Sequence, residues 1–325
     1  MTKAIVIHET GGPEVLKWED IEVGDPGQGQ VRLRHTAVGL NFIDIYQRSG
    51  LYPLPHFPFI LGTEGAGVVE DVGPGVAQLK KGDRVTYAGG QIGAYCEERL
   101  MDANALVPLP DNIDEKVAAA AMLKGITAHM LLFRSYAVQK GDTILVHAAA
   151  GGVGQILCQW ANHLGATVIG TVGSDEKATI AKAHGCHHTI NYSTENFVER
   201  VKDITGGAGV PVVYDSVGKD TFMPSLDCLS RFGVLVNFGN ASGPAPDIAP
   251  LTLMSKGSLF LNRPTLMHYV EDADVRQAAA KALFDVIAGG HVKIEIGQTY
   301  PLSETAQAHI DLNARKTTGS TVLIP

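Results

Sequence analysis

A strand, a glycine cluster and a helix follow one another without a break in TILVHAAAGGVGQILCQWA, residues 143–161. No other stretch narrows the possible folds as far. A short apolar run that turns through glycines directly into a helical pattern is how a βαβ unit opens. The alternation then persists. GQILCQWANHLG (154–165) has helical spacing and ends on Gly165, TVIGTV (167–172) is a strand, and DEKATIAKAHG (175–185) is a helix closed by Gly185. HTINY (188–192), ENFVERVKDITGG (195–207), PVVYDSVG (211–218), KDTFMPSLDCLSRFG (219–233), VLVNFGN (234–240) and SLFLN (258–262) carry it on. Strands alternating with helices of this length build a parallel sheet covered on both faces, and right-handed crossovers make it doubly wound.

The first 120 residues have a different texture. KAIVIH, QVRLRHTAVGL, GAGVVEDVG and DRVTYA are short strand runs punctuated by Gly, Pro and Asp, as in a barrel-like β domain. DEKVAAAAMLKGITAHMLLF (114–133) is a long, alanine-rich helical stretch that links the two textures. DADVRQAAAKALFDVIAGG reads as a helix, and the tail TYPLSETAQAHIDLNARKTTGSTVLIP as a strand, a helix and a strand that return to the first domain. At 325 residues two domains are expected, with 1–122 and 264–325 forming one and 123–263 the other.

Read against the dinucleotide fingerprint, the cluster gives Ala149-x-Gly151-x-x-Gly154. Gly151, Gly152 and Val153 form the turn at which backbone approaches a pyrophosphate, and Gly154 lets the helix pack on the strand. The second strand ends at Gly173 and Ser174, where a site for NAD would place Asp or Glu. Small residues there, with Lys177 in the next helical turn, favour NADPH by leaving room and charge for a 2′-phosphate. Asp175 and Glu176 argue the other way if they turn to the ribose, and a solvated lysine is the alternative for Lys177. Tyr192, just past the third strand, is a candidate for the adenosine end.

The net charge of −8 argues against nucleic acid or an anionic membrane as the main partner. Cys96, Cys158, Cys186 and Cys228 form no CxxC pair and read as reduced structural thiols. The start MTKAIVIHET lacks the apolar core of a signal peptide, and no run approaches eighteen apolar residues. The default expectation is therefore a cytoplasmic protein without a membrane span.

The whole chain resembles the medium-chain dehydrogenases/reductases, and within them the zinc-independent, zeta-crystallin-like NADPH:quinone oxidoreductases. GGPEVL (11–16), GLNFIDIYQRSGLYP (39–53), LGTEGAGVV (61–69), KGDRV (81–85), HAAAGGVG (147–154), VYDSVG (213–218) and the terminal GSTVLIP carry the likeness. NFIDIYQRSGLYP is the most specific of these. The resemblance implies a GroES-like β-barrel catalytic domain, a Rossmann domain binding NADPH, a small quinone as substrate, and a homodimer. Metal-dependent relatives use a cysteine, a His–Glu pair and a further cysteine around zinc. Here those positions hold Asn41, Thr63 with Glu64, and a residue near Leu123, so no metal is expected. Glu64 is then a hydrogen-bonded buried remnant rather than a catalytic base.

Reduction of a quinone needs the nicotinamide held against the ring and donors for the developing negative charge. The resemblance points to Asn41 and Tyr46 at nicotinamide and substrate, with Tyr52 lining the entrance or lying as a surface aromatic. Phe57 and Phe59 are an apolar wall or core. Thr127, at the start of the linking helix, matches a family position near the nicotinamide. Phe238, Gly239, Asn240 and Ala241 follow the fifth strand. Arg263, Pro264, Thr265 and Leu266 follow the sixth. Arg315 joins the phosphate site only through tertiary structure. An NADPH-dependent enone or alkenal reductase is the nearest alternative, and a non-catalytic crystallin-like or RNA-binding role is the alternative of another class.

Overall fold

A computed structural model describes residues 2–325, so the expected domain start at residue 1 lies outside the described residues. The chain forms two compact units. The first runs to Ile126 and takes in Tyr269–Ala288 and Ile294–Pro325; the second comprises Thr127–His268 with Gly289–Lys293.

Along the chain, β1 (Thr2–Ile7), β2 (Lys17–Ile21), β3 (Gln30–Leu40), α1 (Phe42–Arg48), β4 (Phe59–Ile60), β5 (Glu64–Val72), β6 (Arg84–Ala88), β7 (Glu98–Asp102) and β8 (Val107–Pro108) precede the long α2 (Glu115–Met130). Then β9 (Thr143–Val146), α3 (Gly152–His163), β10 (Thr167–Val172), α4 (Asp175–Ala183), β11 (His188–Asn191), α5 (Phe197–Ile204), β12 (Val210–Asp215), α6 (Phe222–Leu226), β13 (Leu229–Asn237), α7 (Pro250–Ser255), β14 (Phe260–Asn262) and α8 (Leu266–Val270) alternate. Finally α9 (Ala273–Ala288), β15 (Ile296–Pro301), α10 (Thr305–Asn313) and β16 (Ser320–Ile324) belong to the first unit.

In the first unit a three-stranded sheet, β2-β1-β4, accompanies a seven-stranded one in the order β15-β16-β3-β5-β6-β8, with β7 also on β3. The tail does return: Val322 pairs with Gly39, antiparallel, on β3. β3 shows why this chain makes a curved sheet with one wet face. Val31, Leu33 and His35 alternate inward from polar neighbours, and the run 37–40 is buried throughout. Ile5, Leu33, Val69, Tyr87, Tyr95, Met101 and Leu323 share its core.

The second unit holds six parallel strands in the order β11-β10-β9-β12-β13-β14. Ile144, Leu145 and Val146 are wholly buried, as an inner parallel strand requires. All C-terminal strand ends therefore lie along one edge, where ligands of doubly wound sheets sit.

Two sequence expectations need correction. The run 219–233 is helical only over α6; Leu229 already pairs with Val210, so the chain enters the sheet earlier than its composition suggests. Thr127 stands in the last turn of α2, not at the start of a linking helix. Helix Glu115–Ser135 is long and apolar enough to cross a membrane by length and composition alone, and 78% of its most apolar window is buried within the protein, as in a core helix.

Candidate active site

The segment NFIDIYQR becomes α1 through its own side chains. Asn41 stands extended before the helix, and its N–H donates to Asp44 Oδ2 at 2.9 Å. This is the carboxylate half of a capping box, and it places Asp44 wholly inside the protein. Thr63 Oγ1 donates to Asp44 Oδ1 at 3.0 Å, and Tyr95 Oη donates to Oδ2 at 2.8 Å. Arg48 Nη1 donates to His309 Nδ1 at 3.0 Å. An arginine only donates, so the His309 proton sits on Nε2, which meets Tyr95 Oη at 3.0 Å. A directed chain thus runs from Arg48 through His309 and Tyr95 to Asp44. Burial raises the Asp44 carboxyl to about 7, against the three donors that pull it down, and burial lowers His309 to about 3.

Glu64, at the first position of β5, is fully buried but not unaccompanied. Its Oε1 accepts from Lys124 Nζ at 2.8 Å and from Asn41 Nδ2 at 3.1 Å. Its Oε2 accepts from the Leu123 N–H at 2.5 Å. One N–H of the Asn41 amide, expected to face a substrate oxygen, is therefore committed to Glu64. Tyr46 is buried and Tyr52 half-buried; their rings meet edge to face with centroids 5.3 Å apart, and the Tyr52 N–H donates to the Tyr46 carbonyl at 3.0 Å. Phe59 packs against the core, while Phe57 is exposed.

In the second unit the β9–α3 turn has the geometry of an anion-binding helix start. Gly151 is the N-cap, with Gly152 and Val153 opening α3. Ala148, despite its Cβ, takes φ 53°, and its carbonyl accepts from the Gly151 N–H at 2.9 Å. A Cβ at Gly154 would lie 2.3 Å from the Ala148 oxygen, whereas one at Gly151 would meet that same atom at 3.2 Å. Gly154 is thus the packing glycine. Gly154→Ala should lower the melting temperature by several degrees through roughly 1–3 kcal/mol of overpacking; Gly151→Ala should cost less, and calorimetry on both compares them. His147 is held by Thr171 and Ser225, each at 2.8 Å, and supports the loop.

Gly173, Ser174, Lys177 and Tyr192 come together at the ends of β10 and β11. A Cβ at Gly173 would lie 2.6 Å from Tyr192 Oη. Ser174 caps α4 by accepting from the Lys177 N–H at 3.3 Å. Asp175 Oδ1 accepts from Asn191 Nδ2 at 2.9 Å, which ties this carboxylate to the strand end beside it. Phe238, Gly239, Asn240 and Ala241 follow β13, anchored by Phe238 N–H to the Asp215 carbonyl (2.8 Å) and Ala241 N–H to the Ser216 carbonyl (3.2 Å). Gly239 approaches Ser216 so closely that a Cβ would lie 2.4 Å from its oxygen. Arg263, Pro264, Thr265 and Leu266 follow β14, with Arg263 Nη1 donating to the Pro264 carbonyl at 3.3 Å. Thr127 belongs to this unit as well. Arg315 lies in the first unit, exposed, in a left-handed turn after α10 with φ 58°.

The second unit is a doubly wound parallel sheet with a glycine turn at a helix start, the architecture that holds a dinucleotide. Residues 27–111 match the family model described as the alcohol dehydrogenase GroES-like domain, and residues 152–283 the one described as zinc-binding dehydrogenase. A quinone oxidoreductase of Pseudomonas aeruginosa is 53% identical over 325 residues, covering 100% of both chains. A 2-haloacrylate reductase of a Burkholderia species is 49% identical, covering 100% of this chain and 99% of its own. The crystal structure of Escherichia coli quinone oxidoreductase complexed with NADPH superposes with a TM-score of 0.98 at 46% identity, covering 99% of this chain and 100% of that one. The chain belongs to the medium-chain dehydrogenase/reductase family, in the branch of the quinone oxidoreductases.

The zinc in one family description does not suit these residues. Zinc takes thiolate, imidazole or carboxylate donors. At the corresponding places stand an amide, a hydroxyl and a backbone N–H, and the one carboxylate already holds an ammonium at 2.8 Å. Among the described residues no three His, Cys, Asp or Glu side chains are grouped to hold a metal ion.

Proposed function

We propose that the protein is an NADPH-dependent quinone oxidoreductase that reduces a small quinone without zinc. The full-length identity to quinone oxidoreductases, one of them solved with NADPH, carries this reading. The residues suit that cofactor: glycine backbone at a helix start for pyrophosphate, Gly173 and Ser174 beside Lys177 and Tyr192 for a phosphorylated ribose, and an Asp175 carboxylate already engaged elsewhere. When bound, NADPH supplies the hydride. Gly151, Gly152 and Val153 hold its pyrophosphate; Lys177 meets the 2′-phosphate; Tyr192 covers the adenosine end. Thr127, Phe238–Ala241 and Arg263–Leu266 hold the nicotinamide half. Asn41 and Tyr46 orient nicotinamide and quinone, with hydrogen-bond donors for the charge that develops on the quinone oxygen, and Tyr52 lines the entrance. The two domains in this reading are 1–122 with 264–325, and 123–263. The measurement is the rate of NADPH oxidation with a small quinone, and no turnover would refute the reading.

The 2-haloacrylate reductase among the relatives supports a second reading, reduction of an activated alkene. That reaction needs a proton at the α-carbon, which Tyr46 or Tyr52 would deliver. Comparing quinones with enones under one set of conditions decides between the two. A crystallin-like or RNA-binding role is the reading left if neither class turns over.

The enzyme in this reading is a cytoplasmic homodimer. Its support is an apolar edge on the second unit: Phe260 and Leu261 on the edge strand β14, with Leu251 and Met254 on α7 and Phe232, are all exposed. A second copy of the chain suits an unpaired edge strand of this kind. Phe260→Lys should shift the mass in solution, by light scattering, from dimer to monomer; an unchanged dimer would place the interface elsewhere.

A further inference from the structure

We propose that Lys124 is a positioning residue for the reaction: through Glu64 its ammonium fixes the Asn41 carboxamide. The inference rests on the reading above, in which Asn41 serves nicotinamide and substrate. Three elements of the first unit converge on Glu64. β3 supplies Gly39, where a Cβ would lie 2.0 Å from Glu64 Oε1 and 2.2 Å from the Ala119 carbonyl oxygen. The strand therefore clears space for this carboxylate, and α2 supplies both the Leu123 N–H and the Lys124 ammonium. Side chains of Glu64 and Lys124 are 0% and 7% exposed. A buried carboxylate without a counter-charge is strongly unfavourable, and breaking such a pair from one side leaves that charge behind. Asn41 Nδ2 donates to the same oxygen that Lys124 holds. A carboxylate only accepts, so the pair dictates that the NH2 end of the Asn41 amide, the end that carries its donors, is the one held at Glu64. A covalently tethered cation thus neutralises this buried carboxylate.

The test uses the full-length enzyme with NADPH and a small quinone. Lys124→Met should lower kcat about ten- to hundredfold, in line with the cost of a displaced reacting group, with the NADPH dissociation constant within about twofold. Asn41→Ala should show a similar loss, and the double variant K124M/N41A should be no worse than either single change. Lys124→Arg, which keeps the charge, should recover part of the rate. In the cofactor-free protein the Asn41 side-chain amide resonances, identified by their absence in N41A, should move in K124M. If K124M does not fold, the charge-neutral pair K124M/E64Q takes its place in every comparison. Full kcat in the variant, multiplicative losses in the double variant, or unmoved Asn41 amide resonances would each overturn the proposal. A wild-type enzyme inactive with NADPH and quinones would instead overturn the functional reading on which it rests.

Discussion

Gly173→Asp is expected to cut kcat/KM for NADPH at least a hundredfold while leaving NADH far less affected, so that the ratio of the two reverses. The position ends β10, and the atom a new Cβ would meet is Tyr192 Oη at 2.6 Å, the far end of a partly exposed side chain. The fold therefore accommodates the change by moving the ring. An aspartate there brings a negative charge to the place assigned to the 2′-phosphate and a hydrogen-bond acceptor to the place of a free 2′-hydroxyl. A hundredfold loss is about 2.7 kcal/mol of transition-state stabilisation, which repulsion in a partly enclosed site readily supplies. Steady-state kinetics with both cofactors, beside a melting curve to show that the variant is folded, checks it. An unchanged NADPH:NADH ratio would mean that Gly173 and Lys177 do not frame the ribose.

The second large effect concerns stability against pH. Burial raises the Asp44 carboxyl to about 7 from an ordinary value of 3.8. Between those values the folded chain holds a proton that the unfolded chain has released, so stability falls as pH rises from about 4 to about 7. The full span corresponds to about 4 kcal/mol. His35 and His309, both lowered to about 3 by burial, act in the opposite sense below pH 6.5. Wild type and Asp44→Asn share both histidines, so the difference between their curves isolates Asp44. An asparagine resembles the protonated acid. The variant should therefore gain on wild type from pH 5 to pH 8, by about 4 °C in melting temperature. Parallel curves for the two proteins would show that Asp44 titrates in the ordinary range.

The second unit was legible in the sequence because its strands are short buried runs with glycine at their ends. Periodicity and punctuation coincide in DEKATIAKAHG and in TILVHAAAGG. α1 was less visible. Its signal, Asn41 three residues before Asp44, is a capping box, but Phe42–Tyr46 reads just as easily as a strand. The site shows the same division. The resemblance to metal-dependent relatives marked Asn41 and Thr63 as places where an amide and a hydroxyl stand instead of zinc ligands. That Thr63 instead donates to Asp44 needed the fold, because Tyr95, His309 and Arg48 lie far apart in sequence. Lys124 was hidden for the same reason. In AMLKGIT it looks like an ordinary surface lysine on a helix, and only the approach of β5 to α2 turns it inward onto Glu64.

A metal-free reductase that draws on NADPH keeps its activity after chelator treatment, and the rate of cofactor oxidation with a small quinone on chelator-treated protein, NADPH against NADH, is the deciding measurement. Fast turnover with NADPH, slow turnover with NADH and no effect of the chelator are the expected result. Activity that disappears on chelation and returns with zinc would contradict the account at Thr63 and Lys124, and a preference for NADH would contradict it at Gly173 and Lys177.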